Sequence, residues 1–260
     1  MEIVILPNTA EVGRLAADQI ESLLAGKAHA VLGLATGSSP LPIYRELEQR
    51  YQSGTVSFAR ARAFTLDEYV GLPDGHPEQY REVIRKEFTD KVDFDPANVH
   101  GPAGNAAGTH YACQAYEKAV QAAGGVDLQI LGIGTDGHIG FNEPGSSLAS
   151  RTRIKTLTEQ TRRDNARFFD SLDEVPRHVV TQGLGTILEA SHILLAATGA
   201  NKAQAVRHLV EGPVSALCPA SALQLHPHVT VLLDDAAASQ LSLADYYRHS
   251  FRHKPDWQKL

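Results

Sequence analysis

The sequence predicts a doubly wound α/β fold with a mainly parallel sheet, a Rossmann-like three-layer sandwich. Three observations predict it. Strand-length apolar runs alternate with longer segments whose apolar residues recur at helical spacing. The short runs are near-continuously apolar rather than alternating in and out, which marks strands buried on both faces. The helices between them supply the right-handed crossovers that parallel strands need.

The elements follow in chain order. Glu2 to Leu6 (EIVIL) is a short β-branched run. Ala10 to Leu24 carries apolar residues at 12, 15, 16, 20, 23 and 24, a helical pattern with Gly26 as its stop. Ala30 to Ala35 (AVLGLA) is strand-length and apolar. Pro40 to Tyr51 reads as a helix with proline in its first turn, where the missing N–H costs nothing. Ala61 to Leu66 is a strand, Pro77 to Phe88 and Thr109 to Ala123 are helices, and Asp127 to Ile133 is a strand. In the second half, His192 to Ala197 and His228 to Leu233 read as strands. Asn201 to Val210 and Asp234 to Leu241 read as the helices that follow them.

The 260 residues are 43% hydrophobic and 21% charged, a globular composition. A chain of this length buries roughly three quarters of its extended surface and needs no disulfide or metal staple. No linker or repeat interrupts it, and its Gly/Pro-rich pieces (71–77, 99–108, 212–219) are short and scattered. The expectation is one domain over 1–260, with a lid segment at about 145–187, where the β–α alternation is least regular.

Several function classes are disfavoured. A net charge of −6 argues against a general nucleic-acid binder. No run approaches the ~18 apolar residues of a membrane span, and the N-terminus lacks the basic region of a signal peptide. Two cysteines, Cys113 and Cys218, fit reduced thiols in a cytoplasmic protein. The charge is uneven: between Arg151 and Arg167 six cations face two acids, a net +4, so the rest carries −10. Such a patch on an acidic protein suits a small anionic ligand, although a solvated helix face has the same composition.

In open α/β sheets ligands bind beyond the carboxyl ends of the strands, so the loops after strands are informative. Thr36-Gly37-Ser38-Ser39-Pro40 can cradle a phosphate with its hydroxyls and helix-terminal amides, or Ser38 or Ser39 can simply cap the helix. The loop has neither the P-loop nor the dinucleotide glycine spacing, so neither cofactor is implied. In Asp67-Glu68, one acid can serve as a general base, or both can be capping residues. The run from Gly132 to Pro144 is the densest. It holds Asp136, His138 and Glu143 among four glycines, and a histidine flanked by carboxylates can shuttle protons near neutral pH. A metal site fits poorly, because this spacing matches no ligand set and no cysteine joins it. Lys202, after Thr198-Gly199-Ala200-Asn201, is placed either to meet a phosphate or to face solvent.

Taken together, these loops resemble the glucosamine-6-phosphate deaminase (isomerising) family. The resemblance is carried by Leu34 to Pro40, Leu66 to Pro73, Gly134 to Pro144, Ser147 to Arg153 and Gln224 to Pro227, and covers about residues 1 to 240. It implies conversion of glucosamine 6-phosphate and water to fructose 6-phosphate and ammonia, without a metal or organic cofactor. It assigns Asp67, Asp136, His138 and Glu143 to catalysis, with Asp67 as the proton-transfer base and His138, oriented by Asp136 and Glu143, as the ring-opening group. Ser38, Ser39, Arg167 and Lys202 match phosphate-binding positions. Ser146, Arg153 and Lys155 match positions that bind the activator N-acetylglucosamine 6-phosphate at a subunit interface in some members, which leaves a homo-oligomer open. The nearest rival is 6-phosphogluconolactonase, which shares an Asp-Gly-His loop. Phe141-Asn142-Glu143-Pro144 and Tyr69-Val70-Gly71-Leu72 favour the deaminase. A sugar-phosphate-sensing regulator domain is a rival of another class, but it has no need of the four acid–base residues together.

Overall fold

A computed structural model of the chain describes residues 1–104, 109–255, 257–258 and 260. The end of the Gly/Pro-rich piece at 99–108 therefore lies outside the described residues. The seven strands of the main sheet are β1 (Glu2–Leu6), β2 (Val31–Leu34), β3 (Arg62–Thr65), β5 (Val99–His100), β6 (Leu128–Leu131), β9 (His192–Ala197) and β10 (Val229–Asp234). They lie in the order β1-β10-β9-β6-β2-β3-β5. Every pairing is parallel. The doubly wound α/β expectation therefore holds. β2, β6, β9 and β10 are buried residue for residue, which is why their sequences are apolar runs without alternation.

Two apolar layers flank this sheet. On one face α1 (Thr9–Gly26), α2 (Leu41–Gln52) and α3 (Tyr80–Glu87) bury Ile20, Leu47 and Ile84 against Leu32, Leu194 and Leu232. On the other, α4 (Thr109–Ala122), α6 (Leu184–Ile187) and α7 (Ala203–Glu211) bury Val120, Ile187 and Leu209 against Ile193, Leu195 and Val231. The last helix, α8 (Ala244–Arg252), packs against β1 at the sheet margin. It contributes Ala244 and Tyr247 to one layer and Phe251 to the other. Lys254 Nζ, just beyond it, donates to Glu2 at 2.6 and 2.8 Å.

Two helix expectations are corrected. The chain after β10 is a run of turns, not a helix over 234–241. Asp234 accepts from the N–H of Gly199 (3.0 Å) and of Ala237 (2.8 Å), which folds the chain back at the strand end. The helix expected from Pro77 begins only at Tyr80, because its cap comes from elsewhere: Glu68 accepts from the N–H of Tyr80 and Arg81.

A second, three-stranded antiparallel sheet was not anticipated. It consists of β4 (Asp67–Tyr69), β8 (His178–Thr181) and β7 (Arg153–Thr156), in the order β4-β8-β7. β7, β8 and the helix α5 (Glu159–Asn165) all lie within the 145–187 segment. The winding direction reverses between β2 and β6, and this switch point places the loops after both strands side by side.

Candidate active site

The loop after β6 is shaped by close approach. A Cβ on Gly134 would lie 2.2 Å from the His138 ring, so only glycine lets the imidazole approach that backbone so closely. Gly134 N donates to the carbonyl of His138 (2.9 Å), closing the loop on itself. Nδ1 of His138 lies 2.7 Å from Oδ1 of Asp136, and the His138 N–H donates to the same oxygen at 3.1 Å. The contact with the His138 ring, before any other cause, holds the Asp136 carboxyl below its usual range. A carboxylate at Nδ1 fixes the ring orientation and leaves Nε2 for proton transfer.

Glu143 stands differently from its expected role. Only 5% exposed, it accepts from Thr161 Oγ1 at 2.6 Å, Thr158 Oγ1 at 3.3 Å and Thr158 N at 3.4 Å. In this arrangement it anchors the start of α5, and among the described residues the carboxylate in contact with the His138 ring is that of Asp136.

Asp67 and Glu68 are neighbours with opposite fates, because successive strand side chains point to opposite faces. Glu68 caps α3, accepting also from its neighbour's N–H, Tyr69 N at 2.8 Å, so the capping alternative holds for this acid. Asp67 is 6% exposed, and burial first, then the Glu68 charge, pushes its pKa up to about 8. A buried carboxyl with a raised pKa is a strong proton acceptor once ionised.

The phosphate candidates gather at the same end of the sheet. Pro40, not a serine, occupies the cap of α2, and neither Ser38 nor Ser39 makes a capping hydrogen bond. Ser39 instead packs on Gly132, where a Cβ would come within 3.0 Å of it, so the loop after β2 leans on the loop after β6. Lys202 is half-buried just before α7. Burial lowers its pKa, Asp136 and Asp164 raise it, and Arg167 lowers it, so these charges lie within electrostatic reach of one another. Arg167 is exposed, its guanidinium 4.7 Å over the Phe168 ring.

Ser146 follows the catalytic loop, and Arg153 and Lys155 lie on β7, Arg153 in register with Thr181 and so with Asp67 across the small sheet. Ser146 is 2% exposed, and its hydroxyl has no hydrogen-bond partner among the described residues. Arg153 Nη1 donates to Asn142 Oδ1 at 2.9 Å, and burial lowers its pKa, with no carboxylate opposing it among the described residues. Lys155 pairs with Val179 in the β7–β8 ladder. The rest of the cationic window is largely neutralised: Arg151 binds Glu117 and Glu189, and Arg163 binds Glu159.

Sequence reasoning missed the polar network behind Asp67. Tyr116 donates to the carbonyl of Thr65 (2.5 Å), Gln182 Nε2 donates to Tyr116 (3.2 Å), and Asn142 Nδ2 donates to the carbonyl of Gln182 (2.8 Å). The apolar pair in His178-Val179-Val180-Thr181 was the one available strand signal, and it falls inside the segment read as a lid.

Comparison with known proteins agrees with this geometry. Residues 8–232 match the family described as glucosamine-6-phosphate isomerases/6-phosphogluconolactonase. The chain belongs to that family. Within the family it is 68% identical over 260 residues, the full length of both chains, to a glucosamine-6-phosphate deaminase of Arthrobacter sp. (strain FB24). It is 66% identical over the full length of a second deaminase, from Mycolicibacterium smegmatis. A solved monomeric glucosamine-6-phosphate deaminase of the NagB superfamily superposes with a TM-score of 0.89 at 44% identity, covering 92% of this chain and 99% of that one. The 6-phosphogluconolactonase of Trypanosoma brucei shares the fold, with a TM-score of 0.75 at 19% identity over 93% of this chain and 98% of that one. Among the described residues, no helix is long and apolar enough to cross a membrane.

Proposed function

We propose that this chain is a glucosamine-6-phosphate deaminase, converting glucosamine 6-phosphate and water to fructose 6-phosphate and ammonia. One observation carries the reading in the geometry. The buried Asp67 carboxyl converges on the trailing end of the loop that holds the Asp136–His138 pair, and Oδ2 of Asp67 lies 3.8 Å from where a Cβ on Gly140 would stand. The full-length relatives support the same reading.

The chemistry follows in steps. The loop at Ser38 and Ser39, with Lys202 and Arg167, anchors the phosphate. His138, held by Asp136, passes a proton to the ring oxygen and opens the pyranose. Asp67 takes the proton from C2 and returns it to C1 through an enolamine. Water adds at C2, and ammonia leaves. The 145–187 segment, which carries Arg167 on its exposed side, acts as a lid on the anchored substrate, with Glu143 tying its α5 to the catalytic loop. Ser146, Arg153 and Lys155 form an effector position: among the described residues, a buried hydroxyl without a partner and a cation without a carboxylate suit a phosphate.

An assay of ammonia release from glucosamine 6-phosphate, coupled to detection of fructose 6-phosphate, tests the reading, with 6-phosphogluconolactone as the competing substrate. Turnover of the amino sugar is expected; hydrolysis of the lactone alone overturns it. N-acetylglucosamine 6-phosphate is expected to lower the half-saturating substrate concentration, and unchanged saturation curves rule the effector position out.

A further inference from the structure

We propose that Thr181 is a positioning residue that sets the separation between Asp67 and the His138 loop. This rests on the reading of Asp67 and His138 above. Thr181 is fully buried in β8, the central strand of the small sheet. It stands opposite Asp67 on one side and Arg153 on the other. Side chains opposite one another on neighbouring strands share a face, so these three form one row turned toward the catalytic loop.

The hydroxyl of Thr181 joins that row to the loop. Its Oγ1 accepts from the N–H of Phe141 at 3.1 Å and donates to the carbonyl of Gln182 at 3.3 Å. Phe141 comes shortly after His138, so this bond pins the trailing end of the loop whose leading end is closed by Gly134. Gly140, at a φ of +55°, marks the meeting point. A Cβ there would lie 2.9 Å from Thr181 Oγ1, 3.6 Å from Asn142 Nδ2 and 3.8 Å from Asp67 Oδ2. The next residue continues the clamp. Gln182 N donates to the carbonyl of Leu66 (2.8 Å), and the Gln182 carbonyl accepts from Asn142 Nδ2 (2.8 Å). Thr181 and Gln182 thus hold Leu66–Asp67 on one side and Phe141–Asn142 on the other. Arg153 Nη1 closes the ring from the third strand through Asn142 Oδ1.

The position requires a hydroxyl, not merely its volume. Valine fills the same space but leaves the buried Phe141 N–H without an acceptor, so the loop end must move to recover one. A displacement of about 1 Å between acid and base groups costs up to ~100-fold in rate. The test compares Thr181→Val and Thr181→Ser in steady-state kinetics with glucosamine 6-phosphate, with thermal melting measured on each. The valine variant is expected to lose about 10- to 100-fold in kcat with KM little changed, and the serine variant to recover most of that loss. If valine does not fold, Thr181→Cys, whose thiol is a weak acceptor, carries the same expectation. Normal kcat in the valine or cysteine variant overturns the proposal. So does a serine variant as slow as valine, or a loss that disappears once activity is corrected for the folded fraction. Asp67→Asn is run alongside: an active Asp67→Asn indicts the functional reading, whereas a silent Asp67→Asn with normal Thr181→Val indicts Thr181 alone.

Discussion

The seven-stranded and three-stranded sheets are built from different kinds of sequence. Ile193 to Ala197 and Val229 to Leu233 are buried throughout and offer apolar side chains to both faces. The small sheet places Asp67, Thr181 and Arg153 in one row, and its outer strand β7 alternates between half-buried and exposed positions. The large sheet draws its stability from apolar area removed from water. The small one spends part of its own burial on a carboxyl, a hydroxyl and a cation. Stability and chemistry are thus partly separated in space, and the separation can be challenged by substitution.

The sharpest challenge is Asp67→Asn. Removing a positioned acid–base group is expected to lower kcat by about 10²–10⁴-fold, and near-normal ammonia release in this variant breaks the assignment. The same substitution has an opposite effect on stability. The Asp67 pKa is raised from 3.8 to about 8, so the folded chain holds a proton that the unfolded chain releases across that range. Asp67 therefore makes stability fall as pH rises from about 4 to 8. Melting curves of Asp67→Asn should gain on wild type with increasing pH through this window, and parallel curves refute the buried-acid account. In wild type, kcat/KM should climb toward pH 8 as the base ionises.

Leu194→Ala probes the other sheet. Leu194 is fully buried in the centre of the parallel sheet, so its truncation should cost about 2–5 kcal/mol of stability in denaturant titrations. The kcat of the folded fraction should stay unchanged; a large drop means that the two sheets are not separable. Smaller still is Lys202→Ala. Losing one charged phosphate contact should raise KM by about 10- to 100-fold with little change in kcat, and unchanged substrate binding removes Lys202 from the phosphate site.

The large sheet, β5 excepted, was legible because both-face burial leaves a local imprint, apolar runs of strand length that are mostly followed by a helical period; β5, two residues inside a Gly/Pro-rich piece, leaves no such run. The loops after β2 and β6 were legible for the same reason, since they begin where those runs stop. The small sheet was not, because β4 and β7 are three or four residues long and largely polar. β4 pairs with β8 across more than a hundred residues, Asp67 opposite Thr181, and no local period records that. Glu143 shows the same limit. Its nearness to His138 in sequence suggested a shared hydrogen bond, but the chain turns its carboxylate toward Thr158 and Thr161 instead. The turns after β10 escaped because Asp234 folds the chain back through bonds to Gly199 and Ala237, only the second of which is local.

The margins of the large sheet have a consequence for how copies of this chain meet. A parallel sheet exposes unpaired N–H and C=O groups along its two outermost strands, and these can template a foreign strand. Here β5 is only two residues long and offers little to copy. At the opposite margin, α8 packs against β1, and the Lys254–Glu2 pair fastens the chain just beyond it. Among the described residues, neither border of the large sheet presents a long, bare ladder, so this sheet offers little template for strand addition.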